Sequence, residues 1–311
     1  MKKKLNILVF NFNNTMTDVI EELKVLGHNV LLPDGKQSTY RKADIIVLWN
    51  ETEDAGWKVW IRGARRDGKK TILIQHGRRG TSRIFPPFNE KLESDIIAAW
   101  GENDRKRLES CGVDKDKIKV VGTTIFKHLK PRIPHTGINI VYSPEHWGGA
   151  EVSENLIIAS ELKKLKDVTV VTKILAGEHN PILYSNPVES HRNMLDHLEI
   201  CADVLRTADV VVGISESTFE LLAEYLDIPV VIAEIWKPKG CDGDERYREY
   251  HREYSNACTR VKDISKLNDA IMFAVKHPEH LREERKQIII DDGGTNIENP
   301  LLEITNLIIN G

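Results

Sequence analysis

The sequence alternates short apolar runs of strand length with longer amphipathic stretches, and this alternation restricts the fold more than any other feature. A run too short for a helix and apolar at every position must be buried on both faces, which a strand inside a parallel sheet achieves. "LNILVF" (5–10), "NVLL" (29–32), "DIIVLW" (44–49), "TILIQ" (71–75), "DIIAAW" (95–100) and "IKVVG" (118–122) are such runs in the first half. "INIVYS" (138–143), "VTVVTKIL" (168–175), "DVVVGI" (209–214) and "PVVIAEI" (229–235) continue the rhythm in the second. Helices are expected at 15–26, closed by Gly27, at 102–111, closed by Gly112, and at 153–166, 193–207, 217–226 and 300–309. Strand and helix in strict alternation imply an α/β protein with parallel sheets.

At 311 residues the chain is about twice the length of an ordinary domain, so two domains are expected. The rhythm breaks in the proline-containing, basic stretch that begins at Lys127 and runs to Thr136. Residues 1–130 and 131–290 are therefore the expected domains, both Rossmann-like, with a C-terminal helix in 291–311 able to pack back toward the first. The start, "MKKKLNILVFNFNN", reads as a first buried strand, because its apolar part is too short for a signal-peptide core. No run approaches the roughly 18 apolar residues of a membrane span, so a soluble or at most peripherally membrane-associated protein is expected. A formal net charge of -3 lacks the basic excess that binding a phosphate backbone leaves, which disfavours duplex DNA as the main partner. Cys111, Cys201, Cys241 and Cys258 show neither CxxC pairing nor zinc-like spacing, as in a reducing cytoplasm.

Open parallel sheets take their ligands beyond the carboxyl ends of the strands, so two such domains imply a cleft between those ends. In "DVVVGISESTFELLAEYLDIP" (209–229) a buried strand gives way to Ser215, Ser217 and Thr218, and Glu220 follows Ser217 at capping-box spacing. A helix start beyond a strand end offers free N–H groups and partial positive charge to a phosphate, although helix capping alone is the commoner reason for such residues. His76 follows a strand and precedes Gly77, where an imidazole can act as acid or base. Arg78 and Arg79 beside it either pair with phosphate or carboxylate groups or form a solvated charge run. Lys173 and His179 lie after another strand, and Glu145 and His146 after a third, beside Gly148 and Gly149. The first strand-to-helix turn carries Asn11, Asn13, Asn14 and Thr15 rather than GxGxxG, which argues against a nicotinamide dinucleotide enzyme. The Asp-x-Asp of "CDGDERYREYHREY" (241–254) heads a charged segment without a matching ligand set, so it is read as a cap and no metal is expected.

These pieces occur in an order that resembles a known superfamily. "TADVVVGISESTFELLAEYLDIPVVI" (207–232) resembles the donor-binding segment of two-domain GT-B transferases and epimerases, and "WGENDRKRLESCGVDKDKIKVVGTTIFKHL" (100–129) the segment closing their first domain. "ILIQHGRRG" (72–80), "IVYSPEHWGG" (140–149), "VVTKILAGEHNP" (170–181) and "DDGGTNIENPLLEITNLI" (291–308) resemble motifs of the CDP-glycerol glycerophosphotransferase-like, teichoic acid polymerase-like branch. The resemblance implies a GT-B architecture, two Rossmann-like domains with parallel sheets facing across a cleft. It also implies a transferase that moves a glycosyl or glycerophosphoryl-type group from a nucleotide-diphosphate-activated donor to a hydroxyl acceptor such as a glycan, a polyol phosphate polymer or a modified base. In that family the His-Gly histidine is the general base, a role that falls here on His76. The first domain would bind the acceptor. The second would bind the donor through Lys173, His179, Ser215, Ser217, Thr218 and Glu220, with Arg78, Arg79, Glu145 and His146 as phosphate or acceptor contacts. No cofactor beyond the donor is implied. A nucleotide-sugar 2-epimerase, a glycosyltransferase acting on modified DNA bases, and a non-catalytic nucleotide-sugar binding protein are the alternatives.

Overall fold

The computed structural model describes residues 4–11, 16–49, 51, 57–78, 91–144, 146–147, 150–151, 153–175, 180–190, 194–235 and 255–311. The chain divides into two compact units, one of Met1–Thr124 with Ile290–Gly311 and the other of Ile125–Ile289.

The first unit begins β1 (Asn6–Val9), α1 (Thr17–Val25), β2 (Asn29–Leu31), α2 (Gln37–Lys42), β3 (Ile45–Leu48), α3 (Trp57–Arg66) and β4 (Lys70–Ile74). It continues β5 (Ile96–Ala99), α4 (Glu102–Ser110) and β6 (Ile118–Val120). The strands form one parallel sheet in the order β2-β1-β3-β4-β5-β6. Every residue of β3 and β5 is buried, as continuous apolar runs require, so helices must cover both faces. On one face Ile7, Val9, Ile45, Val47, Ile72 and Ile74 pack against Val19, Ile20 and Leu23 of α1. That helix stops at Gly27, whose φ of 85° lets the following His28 N–H return to the Leu23 carbonyl.

The second unit contains β7 (Ile138–Ser143), the short antiparallel pair β8 (His146–Trp147) and β9 (Ala150–Glu151), α5 (Ser153–Leu162), β10 (Val168–Leu175) and β11 (Pro187–Ser190). Then follow α6 (Met194–Leu205), β12 (Val210–Gly213), α7 (Thr218–Tyr225), β13 (Val230–Ala233), β14 (Thr259–Val261), α8 (Leu267–Lys276) and α9 (Arg282–Asp291). Its main sheet is parallel in the order β11-β10-β7-β12-β13-β14, the doubly wound order of a Rossmann sheet. The edge strands β11 and β14 carry little apolar sequence; β11 opens on a proline, which only an edge or a strand start tolerates.

From α9 the chain re-enters the first unit and ends in α10 (Pro300–Asn310), whose Ile304 and Ile308 join the core beside α1. Asn299 caps this helix by accepting the Leu302 N–H at 3.1 Å, and Pro300 occupies the position whose N–H would have no partner. The returning backbone lies directly on the ends of β5 and β6: the Thr123 N–H donates to the Gly293 carbonyl at 3.1 Å. A Cβ on Gly101 would overlap the Asp291 carbonyl oxygen, and one on Gly294 would overlap that of Trp100.

Gly101→Ala is therefore expected to cost about 3 kcal/mol or more, because backbone cannot yield as a side chain does. Gly27→Ala, in open space at positive φ, should cost about 1–2 kcal/mol. Equilibrium urea unfolding of the two variants reads the difference.

Candidate functional site

His76 lies just beyond the carboxyl end of β4, beside Trp49 at the end of β3. In this sheet the strand order reverses next to β1 and β3, the region where ligands of such sheets bind. His76 Nδ1 is 2.8 Å from the Trp49 carbonyl oxygen. A carbonyl only accepts, so Nδ1 carries the proton and Nε2 presents its lone pair. The Trp49 indole meets the imidazole edge to face, with centroids 4.6 Å apart and planes at 85°. Burial holds the His76 pKa down at about 4, opposed by the hydrogen bond to Trp49. At neutral pH the ring is thus uncharged and accepting, and an anion brought close would raise its basicity.

The stretch carrying His76 is fastened on both sides. Before it, the Gln75 side chain donates to the Gly77 carbonyl at 2.8 Å and to Asp104 at 2.7 Å, and accepts the Trp100 N–H at 2.7 Å. After it, Arg78 Nε donates to Asp292 Oδ2 at 2.7 Å, and Asn103 donates to the other oxygen of that carboxylate at 2.8 Å. The Arg78 side chain is 0% exposed and that of Asp292 3%. Arg78 is therefore not a solvated charge: its Nε is committed to an internal ion pair. Asp292 lies in the sequence motif beginning at 291, yet a partnership across the chain has no local signal in sequence.

In the second unit, β12 leads into α7 through Ser215, Glu216 and Ser217. Ser217 is the N-cap: its hydroxyl accepts the Phe219 N–H at 3.2 Å, while Glu220 accepts the Ser217 N–H at 2.8 Å and its hydroxyl as well. Glu220 is 1% exposed, and burial raises its pKa, opposed first by Ser217 and last by the charge of Lys173. Glu220 is thus turned inward as the second partner of the capping box. Gly213 makes room for it, since a Cβ there would stand 2.7 Å from Glu220 Oε1. Ser215 and Thr218 are half-buried at the corner. Lys173, half-buried on β10, holds its ammonium 5.2 Å from the Phe219 ring centroid.

His197 and Cys201 of α6, which were not among the expected residues, belong to this same cluster. They stand one helical turn apart with Sγ 3.4 Å from Nε2. Burial and then the Lys173 charge push His197 down to about 3; burial pushes the Cys201 thiol up to about 11. Their i,i+4 spacing on an expected amphipathic helix was the available signal. Glu216, also buried, accepts the Ser255 N–H at 2.9 Å and the Cys258 thiol at 3.0 Å, tying the corner to the start of β14.

Arg79, Glu145 and His179, with Asn13, Asn14, Thr15 and the 241–254 segment, lie outside the described residues. His146 forms part of β8, and its side chain is likewise outside them. Among the described residues no group of three or more His, Cys, Asp or Glu could hold a metal ion, and no helix is long and apolar enough to cross a membrane.

No protein-family model matches the sequence, and no curated protein matches it. The solved structure of the wall teichoic acid polymerase TagF aligns over 99% of this chain and 89% of its own, at 12% identity and a TM-score of 0.60. The UDP-GlcNAc 2-epimerase from Neisseria meningitidis bound to UDP-GlcNAc aligns over 99% of this chain and 100% of its own, at 14% identity and 0.60. The S. aureus MnaA-UDP complex covers 98% of this chain and 94% of its own, at 11% and 0.57. At such identities the likeness is one of fold: the chain has the GT-B fold, two Rossmann-like α/β units with parallel sheets.

The depressed His76 has a consequence for stability. Between its unfolded value near 6.5 and its folded value near 4 the unfolded chain binds a proton that the native state refuses, so stability falls as pH drops through that window. His197 extends the loss toward pH 3. His76→Gln should flatten the dependence of unfolding free energy on pH between 4 and 6.5 by up to one proton's worth; urea titrations at stepped pH measure it.

Proposed function

We propose that the protein is a nucleotide-sugar-related enzyme of the GT-B fold, and within that class a transferase. It moves a glycosyl or glycerophosphoryl-type group from a nucleotide-diphosphate-activated donor to a hydroxyl acceptor. The observation that carries the reading is the His76 imidazole at a strand end, neutral and held by Trp49 so that Nε2 accepts. Nε2 takes the acceptor hydroxyl proton as that oxygen attacks the donor, and the bond to the leaving phosphate oxygen breaks with its electron pair departing on the nucleotide. In the second unit the donor phosphates meet the start of α7, with Ser215, Ser217 and Thr218 at the turn and Lys173 nearby. The likeness to structures whose names include UDP-GlcNAc, UDP and CDPG supports a nucleotide-activated ligand. Arg79, Glu145, His146 and His179 remain proposed ligand contacts. A reducing cytoplasm is the proposed location.

Likeness of the same degree to an epimerase gives the second reading, in which a nucleotide sugar is interconverted with no acceptor consumed. Product analysis separates the two: transfer yields acceptor adduct and free nucleotide in equal amounts, epimerisation yields neither.

His76→Ala should lower turnover by roughly 10²- to 10⁴-fold while leaving donor affinity intact; an unchanged rate removes it from the mechanism. One of CDP, UDP, GDP, dTDP and ADP should raise the melting temperature, and the rise should vanish in Ser217→Ala/Thr218→Ala. No rise with any of them would sink the donor-site assignment. The leaving phosphate's charge is met by Lys173 and helix N–H groups in this scheme, so EDTA is expected to leave turnover unchanged.

A further inference from the structure

We propose that Gln75 and the Arg78–Asp292 pair are positioning residues for His76, which makes the C-terminal segment beginning at Asp292 a working part of the loop that carries the base. The inference rests on the reading of His76 as that base.

His76 sits in the stretch between two residues whose side chains are fastened. Between the two fastened side chains stand only His76 and Gly77, and a glycine alone would leave the imidazole free to wander. Gln75 removes that freedom from one side: its amide faces acceptors with Nε2 and a donor N–H with Oε1, so its orientation is forced. Arg78 removes it from the other side, with both oxygens of its partner Asp292 engaged by protein donors. The two fastenings converge on neighbouring residues of the first turn of α4, since Asn103 holds Asp292 and Asp104 holds Gln75. Asp104 is itself braced by Arg107 at 2.7 Å. The third point is the Trp49 carbonyl on His76 Nδ1.

Net stability is a poor reason for such an arrangement. Desolvating an arginine and an aspartate offsets most of their attraction, and apolar residues of similar volume usually serve a core as well or better. What a buried, hydrogen-bonded ion pair adds is directionality. Here it fixes the distance between the C-terminal segment and a backbone position two residues from the imidazole. Misplacement of a reacting group by about 1 Å can cost about 10²-fold in rate.

The test uses the full chain with ¹⁵N-labelled histidine at pH 7. In the parent protein the His76 nitrogens should report the Nδ1–H tautomer. In Asp292→Asn they should move to a mixture containing Nε2–H, while the His197 signals in the second unit stay in place as a control for folding. Turnover should fall about 10²-fold with the KM for donor retained. Because Asp292→Asn strands a buried guanidinium and can unfold, Arg78→Met/Asp292→Leu is measured beside it. That variant removes both charges, and it should fold yet show the same tautomer change. Retention of the parental tautomer and rate in a folded variant overturns the proposal and leaves the pair purely structural. If His76→Ala leaves the rate unchanged while the tautomer still responds to Asp292, positioning of the imidazole stands and its role as base fails.

Discussion

The strands Ile45–Leu48 and Val210–Gly213 have no face that can meet water, because all their residues are buried. A parallel sheet of such strands has to be covered on both sides, and each strand needs a crossover to reach its neighbour. The covering helices take the apolar surface, so polar chemistry is left to the ends of the strands. That is where His76 and Trp49 stand in the first unit and where Ser215, Ser217 and Lys173 gather in the second. Site and sheet therefore have one cause: the residues that can react are those the packing requirement does not consume.

Two arginines that enter the interior are each held by an aspartate. Arg285, the largest fully buried side chain among the described residues, donates to Asp227 Oδ1 at 2.7 and 3.1 Å and to the carbonyls of His280 and Pro278 at 2.6 and 2.5 Å. It binds α9 to the turn after α7, where Asp227 adopts a φ of 56°. In the first unit Arg78 pairs with Asp292 through Nε. Exposed pairs such as Lys24–Glu21 are worth at most about 1 kcal/mol and organise nothing beyond one helical turn. The difference lies in the alternative available to each group: an exposed charge that loses its partner returns to water, whereas a buried one cannot.

The elements legible in sequence were those whose burial is local. "DVVVGI" could only be an inner strand, and Ser217 with Glu220 could be recognised as a capping box because both partners lie within one turn. Strands β11 and β14 escaped because edge strands meet fewer neighbours and carry fewer apolar residues; in "PVES" only Ser190 is buried. The site was legible in part. His76 was marked by its place after a strand, but nothing in "QHGRRG" distinguishes an arginine that turns inward from one that meets solvent. Glu220 was recognised as an acidic group at a helix start, though its inward direction depends on the space left by Gly213.

The sequence by itself determined the class of fold, the order of the inner strands and the helices between most of them, the capping box of α7 and the strand ends at which chemistry is possible. All of these follow from hydrophobic periodicity and from hydrogen bonds between residues a few positions apart. Only the tertiary structure decided that Arg78 belongs to Asp292, that Asn103 and Asp104 brace the stretch carrying His76, and that His197 and Cys201 lie within the field of Lys173. Those pairings join residues far apart in the chain, and a charged or imidazole side chain looks the same in sequence whether its partner is water or a buried carboxylate. Its protonation, direction and reach are set by desolvation, which exists only once the chain has closed around it.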